Sequence, residues 1–405
     1  MKKVSRKNKI RRNLILRELV ENGQLSLSEL KDRTGITLPV VSDLVTKLKK
    51  EGLILEVKDK EITSAGRPPV IVKLNGKAGY VLGIDFGRIY TNFILVDLEL
   101  NIVAEVRKKS IPLSNDISII DKLESEINKI LEHSKVKWKN MLGIGLSIPG
   151  IVSGEKGISK TYLNFGDVPL RETLRNRFKL PVHIEHDVKA MTLGELWFGE
   201  AKKAKCALCL NLGWGLSLGV VIDGRLYYGS EGFAGEFGHI QIKTDGPLCY
   251  CGKHGCLETL ASGKAITQIA REKIANGAST IITANGDKEL NDIDSTSVLE
   301  AASQGDQFSI ELIEEAGKYL GQGIGILINI LNPDKIILGG GIANAARYLI
   351  DSITSTALKQ SLVHLNKNVK FVPSELGWKA GALGVAMLAA RDLFEVEHLN
   401  PTAYV

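Results

Sequence analysis

The sequence predicts an α/β protein in which an N-terminal winged helix-turn-helix precedes a larger body of alternating strands and helices. Three observations carry that prediction. Residues 1–75 hold 17 Lys and Arg against 9 Asp and Glu, a balance of +8, while the whole 405-residue chain is only +6. After Asn75-Gly76 short apolar runs begin to alternate with helical periodicity. Beyond residue 230, His239 and three cysteines fall within eighteen residues. The length suggests about two or three domains. The 44% apolar and 24% charged residues are those of a soluble globular protein. No apolar run approaches the roughly 18 to 20 residues that span a bilayer, and the basic N-terminus lacks a signal-type apolar stretch. The expectation is a cytoplasmic protein, neither secreted nor membrane-spanning.

In the basic segment, Ile15 with Leu19 and Leu16 with Val20 make the four-apart apolar pairs of a first helix, which Gly23 ends. Ser26 with Glu29 reads as a capping box for a short second helix that stops at Gly35. Thr37 is placed to cap a third helix with Pro39 in its first turn, and Val41, Leu44, Val45 and Leu48 form its apolar stripe. LILEV and VIVKL, on either side of Ala65-Gly66-Arg67-Pro68-Pro69, read as the wing. Such a module sets the exposed face of its third helix in the major groove of double-stranded DNA. The expected DNA contacts are Thr37, Pro39, Val40, Ser42, Asp43, Thr46, Lys47 and Arg67. Asp43 repels phosphate, although a carboxylate there can accept from cytosine N4. A solvated or protein-docking face is the plainer alternative. Charge confined to the one segment that also carries caps, turn glycine and stripe favours DNA.

The body then reads in order. YVLGIDFG, TNFILVDLE and IVAEVRKKS are three consecutive strands, followed by an amphipathic helix around Ser118 to Glu132 and a buried strand MLGIGLSIPG. PVHIEHDVKAMTLGELWFG gives a strand, a polar switch at His186-Asp187 and a helix. CALCLNLGWGLSLGVVIDGRL is a long hairpin, and KIILGGGIANA is a strand, glycine turn and helix start. Trp378 to Asp392 closes the chain as a helix.

His239, Cys249, Cys251 and Cys256 are separated by nine, one and four residues. Imidazole and thiolate are the ligands of Zn²⁺, and four protein ligands leave no open position, so the metal expected here is a structural zinc. Glu236 and Glu258 flank the cluster, and the metal that pins the loop would also pin two acceptors for the hydroxyls of a small sugar or polyol. With three of five cysteines so assigned, a disulfide framework is not expected. Cys206 and Cys209 lie in a strand-like apolar run and read as core.

EFGH at Glu236 to His239, CYCGKHGCLE at Cys249 to Glu258 and the Asp187 segment resemble the ROK family. That family is a branch of the sugar kinase, actin and Hsp70 superfamily containing both sugar kinases and repressors with an N-terminal helix-turn-helix. The resemblance runs over essentially the whole chain. It implies a winged helix-turn-helix at 1–75 and two RNase H-like lobes with a cleft between them. The first lobe is 76–187 joined by the C-terminal helix 378–405; the second is 188–377, with the zinc loop and a dimerisation surface. It implies zinc on His239, Cys249, Cys251 and Cys256, and sugar binding by Glu236, His239, Glu258 and Asp187, with Asn164 as a looser match. Where the family usually carries asparagine this chain has His186, placed in the same sugar site.

Two functional classes follow from that resemblance. One is an ATP-dependent sugar kinase with a fused helix-turn-helix, Asp187 acting as general base. The other is a transcription factor, a repressor of carbohydrate genes, whose body senses a sugar or sugar phosphate. The glycine loops decide the expectation. ROK kinases typically open with D-x-G-G-T, whereas here Asp85-Phe86-Gly87 is followed by Arg88-Ile89-Tyr90. Their second loop typically reads L-G-T-G-I-G-G-G, whereas here Trp214 and Leu218 stand where a hydroxyl and a glycine belong. Gly339-Gly340-Gly341 alone is kept. Phosphoryl transfer needs backbone amides close to phosphate with no side chain in the way. The expected protein is a non-enzyme that uses no ATP, keeps Asp187 as a vestigial base, and reads operator DNA as a homodimer or dimer of dimers. The resemblance also admits a sugar-transport protein as partner.

Overall fold

The computed structural model describes residues 6–57, 69–88, 90–284, 289–343 and 347–394. Its first helix, Arg6–Asn22, buries Ile15, Leu16 and Leu19 and ends where the Gly23 N–H donates to the Leu19 carbonyl with Gly23 at φ +77°. The second, Leu27–Thr34, carries the full capping box: the Glu29 N–H donates to Ser26 Oγ (3.2 Å) and the Ser26 N–H to Glu29 Oε2 (2.7 Å). Gly35 closes it in the left-handed region at φ +67°, where a residue with a Cβ is strained. The third helix, Leu38–Lys50, turns Val41, Leu44, Val45 and Leu48 inward.

Thr37 stands at the N-cap of that helix, but its side chain makes no capping bond. The reason is local. A capping oxygen takes the N–H of the second or third helical residue; here the second is Pro39, which has none, and the N–H of Val40 already donates to the Thr37 carbonyl at 3.0 Å. The wing strands are Ile54–Val57 and Ile71–Leu74, paired antiparallel. A third strand, Gln24–Ser26, pairs with Ile71–Leu74 from the other side, an element too short for its sequence pattern to predict. Arg67 lies outside the described residues.

The chain divides into two compact units, one comprising the described residues to Asp187 with those from Ala382 onward, the other Val188–Gly381. The second crossing thus falls inside the closing helix, Ala380–Phe394, which is preceded by a single 3-10 turn, Gly377–Lys379. In the first unit a five-stranded sheet runs in the order Ile102–Lys109, Thr91–Asp97, Tyr80–Phe86, Met141–Ile148, Val182–His186. The first three are antiparallel neighbours and the last two add in parallel. Gly83 and Gly145, on its two central strands, let the closing helix press onto the sheet: a Cβ at either would stand 1.8 or 1.9 Å from the carbonyl oxygens of Ala382 and Val385.

The second unit repeats the order: Arg225–Tyr227, Leu216–Ile222, Ala207–Leu212, Lys335–Gly339, Lys370–Pro373, again three antiparallel strands followed by two in parallel. Its core packs the long helix Gln307–Leu331 and Arg347–Gln360 with the sheet. In mixed sheets of this kind ligand sites form beyond the carboxyl ends of the parallel strands; in the first unit Asp187 follows such an end, and within the second unit Gly213 and Gly340 do. Cys209 is buried in the Ala207–Leu212 strand and Cys206 half-buried before it. No described helix is long and apolar enough to cross a membrane.

Candidate functional site

The metal loop is assembled by a short antiparallel pairing. The Ile242 N–H donates to the Gly255 carbonyl and the Leu257 N–H to the Ile240 carbonyl, both at 2.9 Å, which sets His239 beside Cys256. Gly255 sits at φ +64°, and a Cβ there would stand 1.6 Å from the Lys243 carbonyl oxygen. The ligand atoms of His239, Cys249, Cys251 and Cys256 all lie within 4.8 Å of one another. Cys249 Sγ is 3.5 Å from His239 Nδ1, and Cys251 Sγ is 3.6 Å from Cys256 Sγ. A tetrahedral ion with bonds of about 2.0 to 2.3 Å has ligand-to-ligand edges of about 3.5 to 3.8 Å, so the cluster fits a metal ion. The Lys253 backbone N–H holds the Cys251 thiol below its ordinary range, whereas burial and the adjacent sulfurs push Cys256 up to about 12. A cation among these three sulfurs would let them stand together as thiolates.

Cys256 is also the N-cap of the short helix Leu257–Ala261, which carries Glu258. Glu258 Oε2 accepts from the Leu216 N–H at 3.2 Å, at the mouth of the hairpin turn Gly213–Gly215. Gly215 makes room, since a Cβ there would stand 3.0 Å from the same oxygen. Glu236 is exposed, with Oε2 4.0 Å from His239 Nε2. His239, Glu236 and Glu258 thus make one polar face beside the cluster. Two further residues bear on this region, and their spacing alone does not announce them. Tyr250 Oη lies 2.9 Å from His239 Nε2. Lys189 is buried, its ammonium bonded to the Gly232 carbonyl and lying 5.9 Å over the Tyr228 ring, and so ties down the segment leading to Glu236. A lysine two places after Asp187 on an apolar helix was the available clue.

In the first unit, His186 ends the strand Val182–His186 and Asp187 starts the helix Asp187–Phe198, with His186 Nδ1 3.3 Å from Asp187 Oδ1. The Asn164 N–H donates to Asn115 Oδ1 at 3.1 Å. Asp85 accepts from Ser147 Oγ at 2.6 Å. Burial, opposed by Ser147 and reinforced by Asp187, lifts Asp85 to about 6. Unfolded, it titrates near 3.9. Between about pH 4 and 6 the folded protein keeps a proton the unfolded chain has lost, so stability falls as pH rises through that window and stays lowered above it. Asp85→Asn is therefore expected to stabilise the protein at pH 7.5 by about 2 to 3 kcal/mol, a gain that vanishes near pH 4. Denaturant titrations of both proteins at the two pH values check this; a gain of equal size at both would refute it.

The glycine turns are occupied by their own protein. In the hairpin turn, the Gly263 and Lys264 N–H groups donate to the Gly213 and Trp214 carbonyls at 2.9 and 3.1 Å. These are the first residues of the helix Gly263–Ala275, and its Ala265 N–H donates to Ser262 Oγ at 3.1 Å. Trp214 is exposed on the turn. The Gly87 N–H donates to the Tyr90 carbonyl at 2.9 Å, closing the first turn on itself. Gly340, at φ +90°, packs against the Leu212 carbonyl.

On the helix Leu38–Lys50, Pro39, Ser42, Asp43, Thr46 and Lys47 are exposed, Val40 is half-buried, and Thr37 stands exposed at the start. Lys47 Nζ pairs with Asp43 Oδ2 at 2.6 Å, which answers the like-charge problem Asp43 posed for phosphate. Thr46 Oγ1 donates back to the Ser42 carbonyl.

Residues 81–392 match the protein family described as the ROK family, and residues 10–54 match the winged helix-turn-helix DNA-binding family. The xylose repressor of Bacillus spizizenii is 30% identical over 393 residues, 96% of this chain and 97% of that one. The crystal structure of a ROK family transcriptional regulator, a homologue of the Escherichia coli Mlc protein, aligns with a TM-score of 0.81 at 27% identity, over 97% of this chain and 98% of the other. A ROK family glucokinase from Streptomyces griseus, solved with glucose and AMPPNP, aligns at 0.67 and 28% identity over 77% of this chain and all of its own.

Proposed function

The chain belongs to the ROK family, and from that premise we propose that it is a cytoplasmic, sugar-responsive transcriptional repressor that does not phosphorylate its effector. One observation carries the reading: the winged helix-turn-helix and the ROK body stand on one chain that aligns almost end to end with a xylose repressor. The exposed face of Leu38–Lys50 reads operator DNA, with Ser42 and Thr46 at base edges and backbone contacts around them. In the second unit Glu236, His239 and Glu258 take hydroxyls of a pentose or hexose; in the first, Asn164, His186 and Asp187 have the same role. A structural zinc on His239, Cys249, Cys251 and Cys256 holds the loop and carries no chemistry. Against phosphoryl transfer stand the bulk of Trp214 and the commitment of the Gly263 and Lys264 N–H groups to the hairpin turn. A single recognition helix makes few base contacts, so two copies are needed. The exposed Ile326, Ile330, Leu362 and Val363 offer a second copy an apolar surface.

Selection from a pool of random duplex DNA should yield a pseudo-palindromic site bound by the full chain. D-xylose or D-glucose should weaken that binding, and by linkage the DNA should weaken sugar binding by the same factor, typically about 5- to 150-fold. Neither sugar should provoke ADP release from ATP. ATP-dependent phosphorylation that disappears in Asp187→Asn would install the kinase reading instead.

A further inference from the structure

We propose that Tyr250 stands in for the effector in the free protein: its phenol holds the ring hydrogen of His239 that a sugar hydroxyl must take over, so binding is a displacement. This rests on the reading of Glu236, His239 and Glu258 as an effector face. The two nitrogens of His239 have separate surroundings. Nδ1 points into the sulfur cluster, 3.5 Å from Cys249 Sγ, and Nε2 lies 2.9 Å from Tyr250 Oη. The rings meet edge to face, centroids 5.0 Å apart and planes at 83°. An imidazole that offers Nδ1 to a cation carries its one proton on Nε2. That proton serves one acceptor well. Glu236 Oε2, at 4.0 Å, is beyond hydrogen-bond range, and the tyrosine oxygen holds the position.

The setting of Tyr250 makes it a latch rather than a fixture. Its backbone is fixed between two ligands of the cluster: the Cys249 N–H donates to the Lys253 carbonyl at 2.8 Å and the Gly252 N–H to the Cys249 carbonyl at 2.9 Å. The residue itself is 78% exposed, so packing does not hold the ring, and a rotation about its side-chain bonds frees Nε2 without disturbing the loop. The same geometry selects ligand chemistry. What replaces the phenol must be a small neutral acceptor, because Glu236 and Glu258 flank the position and repel an anion. This end of the effector is an unmodified hydroxyl, and any phosphate it carries lies elsewhere.

The test compares zinc-loaded full-length protein with Tyr250→Phe, which keeps the ring and removes the oxygen. Metal content should be equal in the two. Calorimetric titration with D-xylose and D-glucose should show the sugar that binds the wild type binding Tyr250→Phe about 3- to 10-fold tighter, since a bond of ordinary net strength no longer has to be broken. Binding that is unchanged or weaker in Tyr250→Phe overturns the displacement and leaves the effector reading standing. No binding of either sugar to the wild type overturns both.

Discussion

Replacing Cys256 by serine is expected to empty the metal cluster and to cut effector affinity at least about tenfold, while DNA binding by the N-terminal module persists. The size follows from what the sulfur holds. Structural zinc contributes an apparent 10 to 16 kcal/mol or so in small peptides, far more than one exposed loop can lose and stay ordered. Cys256 is fully buried and immediately precedes the short helix that presents Glu258, so loss of the metal it holds reaches beyond the loop to the Glu258 contact with the Leu216 N–H. Elemental analysis should give about one zinc per chain in the wild type and close to none in the variant. Titration with D-xylose or D-glucose supplies the second reading. Metal-free protein that binds effector as well as the loaded form would mean that the cluster does not support the site.

Gly145→Ala is expected to destabilise the first unit by about 3 kcal/mol, the upper part of the usual range for an overfilled core. The added carbon would stand 1.9 Å from the Val385 carbonyl oxygen and 2.5 Å from its carbon. Both belong to helix backbone, which cannot rotate away as a side-chain tip can, so Ala380–Phe394 must lift from the sheet or the strand must bend. Gly341→Ala, with nothing within 4 Å of the added carbon, is the matched control and should change stability by less than about 0.5 kcal/mol. Denaturant unfolding followed by circular dichroism separates the two. Equal stability for both variants would show that the close approach at Gly145 is not a constraint.

What could be read in the sequence was what is short-ranged. The capping box at Ser26 and Glu29, the left-handed Gly35 and the stripe through Leu44 and Leu48 depend on neighbours within a few positions, and each forms as its spacing dictates. The His239 cluster was legible for the same reason, its four ligands being packed into one loop. Contacts between distant residues were not. The strand Gln24–Ser26 is three residues long and finds its partner at Ile71–Leu74, too little pattern for any period to register. The contacts of Glu258 with the Leu216 N–H and of Lys189 with the Gly232 carbonyl join segments more than forty residues apart. Thr37 failed in a different way: the residue type was right for a cap, but Pro39 removes one donor and the turn itself uses the next. Asp43 needed its neighbour Lys47 to be intelligible.

The start of the helix Gly263–Ala275 has a consequence for how this chain can change over time. Its first three N–H groups are all engaged, by the carbonyls of Gly213 and Trp214 and by Ser262 Oγ, so the end that would carry partial positive charge is already neutralised from within. Exchanging Trp214 for a smaller residue by a single codon change would remove bulk and leave those donors committed. Binding a phosphate at this helix start would require those donors to be freed as well as the bulk removed. The same turn leads into the Leu216 N–H that Glu258 accepts, so a change that reshaped it would disturb that contact as well.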